Sequence, residues 1–309
     1  MESSMDIKRE ESFQEDTAIE QSRIIGVTLR TEGSRRMTPL QTISASWIIC
    51  DSWAGVAATV ALATVQRGPV TLIYGLIAMF VLVGACVLSL GELASVYPTT
   101  GGQYHWTSIL APRRVRRVMS YACGIANMFA WIAICTGIAI IPAQQIMGIV
   151  LFYYPDFDAQ PWHYFLIYQA INALVMLYNI GLLQRSLWIH DAAFFITLAS
   201  FFFVITITCL SRSAGNYEPS TTVWETFLND SGWSSGGVPF LTGLVSPNYM
   251  FAGIDGALHL AEDCRNAATA VLWALMSTLT IGFGTSFAFM IAMLYCTHDL
   301  QAVVDTITG

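Results

Sequence analysis

Seven apolar runs of membrane-spanning length follow residue 40 of this chain, and two of them are broken near their middles by acidic and small residues. The first runs from about Thr42 to Gln66 and is interrupted at Cys50-Asp51-Ser52-Trp53-Ala54-Gly55. The second runs from about Val238 to Glu262 and is interrupted at Phe251-Ala252-Gly253-Ile254-Asp255-Gly256. A bare carboxylate at bilayer depth costs roughly 2.5–3.5 kcal/mol on insertion scales, so it persists where it faces a cavity or a partner. Unwound backbone is tolerated at that depth under the same condition. Paired interruptions of this kind point to a binding site inside a membrane transporter.

The hydrophobic fraction is 55%, the charged fraction 11% and the mean hydropathy +0.56, against roughly 25% charge in a soluble domain. Lipid is therefore the solvent for most of the chain. Spans of roughly 20 residues are expected near 43–66, 69–91, 118–152, 163–184, 187–211, 238–262 and 269–297, the third kinked at Pro142. Residues 1–40 read as a disordered tail without an apolar signal-peptide core. Seven cysteines scatter through the apolar runs without a CxxC, as small core hydrophobes do.

Basic residues set the expected orientation. With the N-terminus inside, the cytoplasmic parts hold Lys8 and eleven arginines, including Arg113, Arg114, Arg116, Arg117, Arg185 and Arg265, and the outer loops keep Arg67 and Arg212. That division follows the positive-inside rule. It places the sequon Asn229-Asp230-Ser231 on the longest outer loop, making Asn229 a glycosylation candidate. It also disfavours a seven-helix receptor, whose N-terminus lies on the opposite side.

The stretch Gly91-Glu92-Leu93-Ala94-Ser95-Val96-Tyr97-Pro98-Thr99-Thr100-Gly101-Gly102-Gln103-Tyr104-His105-Trp106 resembles the segment after the second helix in fungal permeases of the amino acid–polyamine–organocation superfamily. The GABA- and choline-permease-like branch is the nearest to it. Asp255-Gly256-Ala257-Leu258-His259-Leu260-Ala261-Glu262-Asp263, followed by Asn266-Ala267, resembles the broken sixth helix of the same branch. The resemblance extends over about residues 40–297. It implies an all-α membrane protein with a five-plus-five inverted repeat, in which helices one and six unwind around the substrate. On that pattern the first repeat covers about 43–211 and a partial second repeat about 238–297, with 298–309 as a truncated end. A non-transporting fragment or paralogue is the alternative that this partial second repeat raises.

The candidate substrate site comprises Asp51, Ser52, Trp53, Ala54 and Gly55 of the first break and Phe251, Gly253, Ile254, Asp255 and Gly256 of the second. Half-helix amide groups suit a substrate carboxylate, whereas two aspartates suit a cationic amine. Asp51 otherwise faces water or caps a helix, Asp255 otherwise bonds neighbouring backbone at a kink, and Trp53 is either a pocket wall or packing. Glu92, Glu262 and Arg265 are gate or coupling candidates, Glu262 pairing with Arg265 or with the Arg113–Arg117 cluster. That cluster either attracts anionic headgroups or reflects topology alone. His259 and Glu262 have helical spacing but lack further ligands at metal spacing. No nucleophile–base pair, phosphate loop or dinucleotide fingerprint is present, so neither catalysis nor a cofactor nor nucleic acid is expected. The expected partners are an amino acid or amine such as GABA or choline, protons and membrane lipid. The expected location is the plasma membrane, with the vacuolar membrane as the alternative.

Overall fold

The computed structural model describes residues 37–60, 68–182, 188–212, 217–226, 233, 237–264 and 266–297. Among these there is no strand, only an isolated bridge between Met37 and Cys264. The first helix, α1 (Pro39–Cys50), starts on a capping box. Thr38 Oγ1 accepts the Gln41 amide at 3.3 Å, Gln41 Oε1 accepts the Thr38 amide at 3.0 Å, and Pro39 occupies the first turn where its missing N–H costs nothing. It stops at Asp51, and α2 (Ser52–Ala58) begins at the next residue. Three continuous helices cross next: α3 (Pro69–Val96), α5 (Arg116–Tyr153) and α6 (Pro161–Gly181), with the short α4 (Gly102–Leu110) linking the first two. After α7 (Trp188–Arg212) and α8 (Ser220–Glu225) the chain enters a broken segment made of α9 (Gly237–Gly243), α10 (Val245–Asn248), a 3₁₀ turn (Tyr249–Phe251), α11 (Gly256–His259) and a second 3₁₀ turn (Ala261–Asp263). The last helix is α12 (Ala267–Cys296).

Five of these helices (α3, α5, α6, α7 and α12) are long and apolar enough to cross a membrane. Their bounds lie within a few residues of five of the expected spans; the two broken segments overlap the other two, and residues 61–67 at the end of the first lie outside the described residues. The largest shift is in α3, which runs to Val96 rather than ending near Gly91. The protein is an all-α membrane protein.

Burial divides the helices into two groups. In the most apolar windows of α3 and α12, 44% of residues are buried, against none in α5 and α6. The core therefore lies among α1, α2, α3, α12 and the broken segment, around Trp47, Leu76, Met250, Leu258, Leu275 and Met290. Apolar side chains of α5, α6 and α7 such as Phe129, Phe165 and Phe203 are exposed.

Small and hydroxylated residues tie α1 and α2 to α12 at close range. Ser46 Oγ and Thr278 Oγ1 share a buried hydrogen bond of 2.8 Å, and Ser52 sits where Gly282 leaves room for it. The end of the broken segment is fastened to the start of α1. Met37 donates its amide to Asp263 O at 2.9 Å, and Thr42 Oγ1 meets Cys264 Sγ at 3.2 Å. Rings stack where α3 meets α12, with Phe80 and Phe283 at 4.3 Å.

Candidate functional site

At the first break a single residue turns the chain. Asp51 takes φ 36° and ψ 54°, a left-handed conformation that few non-glycine residues adopt and that aspartate tolerates better than most. Its amide closes α1 onto Trp47 O at 2.9 Å, and its carbonyl accepts Gly55 N at 2.9 Å. The break is therefore one residue wide, narrower than the expected unwinding across five. The amides of Ser52, Trp53 and Ala54 head α2 and have no carbonyl one turn earlier in that helix. Beside them, Asp51 Oδ1 is buried and has no hydrogen-bond partner. Gly55 allows Tyr249 to come close: a methyl there would stand 3.2 Å from its ring.

The second break is wider. After the 3₁₀ turn, Ala252 is extended (ψ 125°) and Gly253 takes φ 80°, which glycine adopts without strain. Gly253 and Gly256 present bare backbone to two side chains. A Cβ on Gly256 would lie 3.0 Å from Ile49 Cγ2 and 3.1 Å from Trp131 Cη2; one on Gly253 would lie 3.2 Å from Ile49 and 3.4 Å from Trp131. Ile49 stands two residues before the first break and Trp131 belongs to α5. The two breaks thus face each other, with α5 forming a third wall. Cys50 between them is within electrostatic reach of both Asp51 and Asp255.

Toward one end of this junction, α4 and the turn before it dock on the broken segment through polar contacts. Gln103 Nε2 donates to Asp255 Oδ2 at 3.1 Å, and Asn127 Nδ2 of α5 donates to Gln103 Oε1 at 3.4 Å. Glu262 Oε1 accepts from the Thr100 hydroxyl at 2.7 Å and from its amide at 3.3 Å. His259 Nδ1 meets Thr100 O at 2.7 Å. A carbonyl only accepts, so Nδ1 carries the proton, and Nε2 then faces Asp255 Oδ2 at 4.0 Å. Trp131 lies edge-on to the His259 ring at 6.1 Å.

The expected site residues do not all gather where the two breaks meet. Glu262 has Thr100 as its partner, not the Arg113–Arg117 cluster, because the Thr99–Gly102 turn reaches the end of the broken segment before the arginines do. Trp53 packs between Phe201 of α7, at 6.0 Å, and Phe289 of α12, at 5.6 Å. Ser52 is fully buried against Gly282. Phe251 and Ile254 are buried beside the second break, and Ala54 is half-buried. Glu92 is exposed on α3 and takes no part in these contacts. Arg265 and Asn229 lie outside the described residues. Thr100, Gln103 and Trp131 were not singled out as site residues. Gln103 stood inside a quoted motif, but nothing local marks a glutamine as the partner of an aspartate 152 positions away.

Residues 40–307 match the family described as amino acid permease. The chain belongs to that family. Its relatives place it in the fungal branch of the amino acid–polyamine–organocation superfamily. It is 34% identical over 263 residues to a choline transporter of Saccharomyces cerevisiae, covering 84% of this chain and 46% of the relative. A 7-keto 8-aminopelargonic acid transporter of the same yeast is 27% identical over 296 residues, covering 83% and 53%. A swainsonine transporter of Arthroderma benhamiae is 28% identical over 272 residues, covering 86% and 52%. The chain spans about half the length of the curated relatives it matches. The family and these relatives are transporters, not enzymes. No solved structure matches the chain.

Proposed function

We propose that the protein is a secondary active permease for a small amine or amino acid, with the amine end of the substrate held at Asp51. The observation behind this reading is the buried Asp51 carboxylate oxygen, unpartnered at the break between α1 and α2. An ionised carboxylate in that position needs a counter-charge, and a substrate ammonium supplies one. The unsatisfied amides of Ser52 to Ala54 stand beside it for a substrate carboxylate or hydroxyl. Asp255 is already hydrogen-bonded to Gln103, so it serves closure rather than first contact. The substrates in the relatives' names (choline, 7-keto 8-aminopelargonic acid and swainsonine) all carry a nitrogen centre.

Coupling to protons is assigned to the pair formed by Asp255 and His259. A proton added at His259 Nε2 would place a cation 4.0 Å from Asp255 Oδ2 and tighten the contact of α4 with the broken segment. The arginine asymmetry supports a cytoplasmic N-terminus, and we assign the protein to the plasma membrane. Uptake of radiolabelled choline, GABA and a neutral amino acid by the full-length protein in a transport-deficient host tests the site. Asp51→Asn is expected to lower affinity for the transported amine at least tenfold while surface expression is kept. Unchanged kinetics in that variant would remove Asp51 from the site.

A further inference from the structure

A cavity of about 880 Å³ lies between α4 and the start of α5, outside the junction described above. Arg113, Arg116 and Arg117 line it together with His105, Tyr104 and Tyr121. Among the described residues no carboxylate lies within ion-pair distance of these guanidiniums. The first turn of α5 lines the same cavity and has no side-chain cap. Arg116 N is satisfied by Pro112 O and Met119 N by Val115 O, but the helix offers no carbonyl to the amides of Arg117 and Val118. Uncompensated arginines beside uncapped helix amides make a site for an anion with several acceptor oxygens.

Depth in the membrane selects the anion. The apolar run of α5 begins one residue after Arg117, so the guanidiniums stand at the boundary between headgroups and hydrocarbon. The far wall is apolar, made by Ile109, Ile125 and Met128, and continues along the exposed side of α5. A charged mouth above an apolar wall fits a phosphate headgroup with its acyl chain attached. Arg114 is exposed but does not line the cavity, so the four arginines of the cluster are not equivalent.

The geometry points to this cavity as a binding site for one anionic phospholipid, its phosphate held by Arg113, Arg116 and Arg117. Placing that lipid in the cytoplasmic leaflet rests on the orientation proposed above; binding itself does not. One wall of the cavity is α4, whose Gln103 reaches Asp255 from its other side, and Ser120 Oγ donates to Tyr104 O at 2.8 Å across the gap. A seated headgroup would thus brace the helix that docks on the second break.

Native mass spectrometry of the purified protein tests the assignment, with phosphatidylserine, phosphatidylinositol 4-phosphate and phosphatidylcholine titrated in mixed micelles. One anionic lipid is expected to be retained in preference to phosphatidylcholine, with inorganic phosphate failing to compete at millimolar concentration. Near the surface, each arginine removed is expected to weaken binding about fivefold, so Arg113→Gln, Arg116→Gln and Arg117→Gln together weaken it about a hundredfold. Arg114→Gln is expected to leave it within twofold. Ser108→Glu, which puts a negative charge into the cavity without removing an arginine, is expected to abolish retention and serves if the triple variant fails to fold. Equal loss with Arg114→Gln would reduce the effect to general charge attraction and overturn the site. So would displacement by inorganic phosphate, or binding unchanged in Ser108→Glu. None of these outcomes depends on transport or on orientation, so failure here is separable from failure of the permease reading.

Discussion

Replacing Gln103 with leucine tests whether α4 acts as a latch on the second break. Its Nε2 lies 3.1 Å from Asp255 Oδ2, whereas His259 Nε2, at 4.0 Å, is beyond hydrogen-bond range. A hydrogen bond to a charged group contributes about 1.5–3 kcal/mol. The Asp255 side chain keeps 23% exposure, so water competes and the low end of that range applies. Leucine conserves volume and removes the donor, while the Thr100 contacts to Glu262 and His259 still tether the link. A loss of about 1.5 kcal/mol raises the fraction of molecules with an open junction roughly tenfold. Cys50 is 7% exposed and adjoins Asp51, which makes it a reporter of opening. In protein retaining Cys50 alone among its cysteines, methanethiosulfonate labelling follows the open fraction when reclosing is fast. Gln103→Leu is expected to speed labelling roughly tenfold, and to add less than twofold in an Asp255→Ala background. An unchanged rate, or the full gain in that background, would refute the latch.

Gly282→Ala should lower the thermal unfolding midpoint, because a Cβ there lies 3.1 Å from Ser52 Cβ and overpacking costs about 1–3 kcal/mol. Gly84→Ala meets only Leu279 at 3.5 Å and should be neutral or stabilising by up to about 1 kcal/mol from helix propensity, so the reverse ranking would discredit the α2–α12 contact. Asp51→Gly should preserve the midpoint while Asp51→Val costs about 1–2 kcal/mol, since a branched residue disfavours the left-handed conformation; equal midpoints would show that Asp51 does not adopt it. Gly256→Ala should destabilise, and Trp131→Phe, which removes the Cη2 atom at 3.1 Å, should recover about 1 kcal/mol of that loss in the double variant; strict additivity would separate the two residues.

The spans and their breaks were legible because each rests on a local signal. A run of about 20 apolar residues has few alternatives in water, and Gly253 and Gly256 around Asp255 mark a place where a helix cannot continue cheaply. The width of the first break was not legible, because whether one residue or five leave the helix depends on how Gly55 and Tyr249 pack. Trp53 illustrates a second limit. An aromatic at a break suits a pocket wall or a helix interface equally well, and only Phe201 and Phe289 decide for the interface. Pairing of Glu262 with the Arg113–Arg117 cluster rests on charge alone, whereas the chain path delivers the hydroxyl and amide of Thr100. Trp131 reads as ordinary helix packing in the sequence, because its importance comes from two glycines more than a hundred residues away.

The flank of the broken segment carries a mechanical consequence. Where Gly253 and Gly256 meet Ile49 and Trp131, the facing side-chain atoms are all carbon. Such a surface can slide without stranding a polar atom, whereas parting Ser46 from Thr278 would leave two hydroxyls unsatisfied in a dry interior. At its far end the segment is pinned to α1 by Met37 and Thr42. With the polar contacts of α4 to Asp255, His259 and Glu262 released, a rod pinned at that end would pivot along this carbon face past Ile49 and Trp131, while the Ser46–Thr278 bond keeps α1 and α12 together.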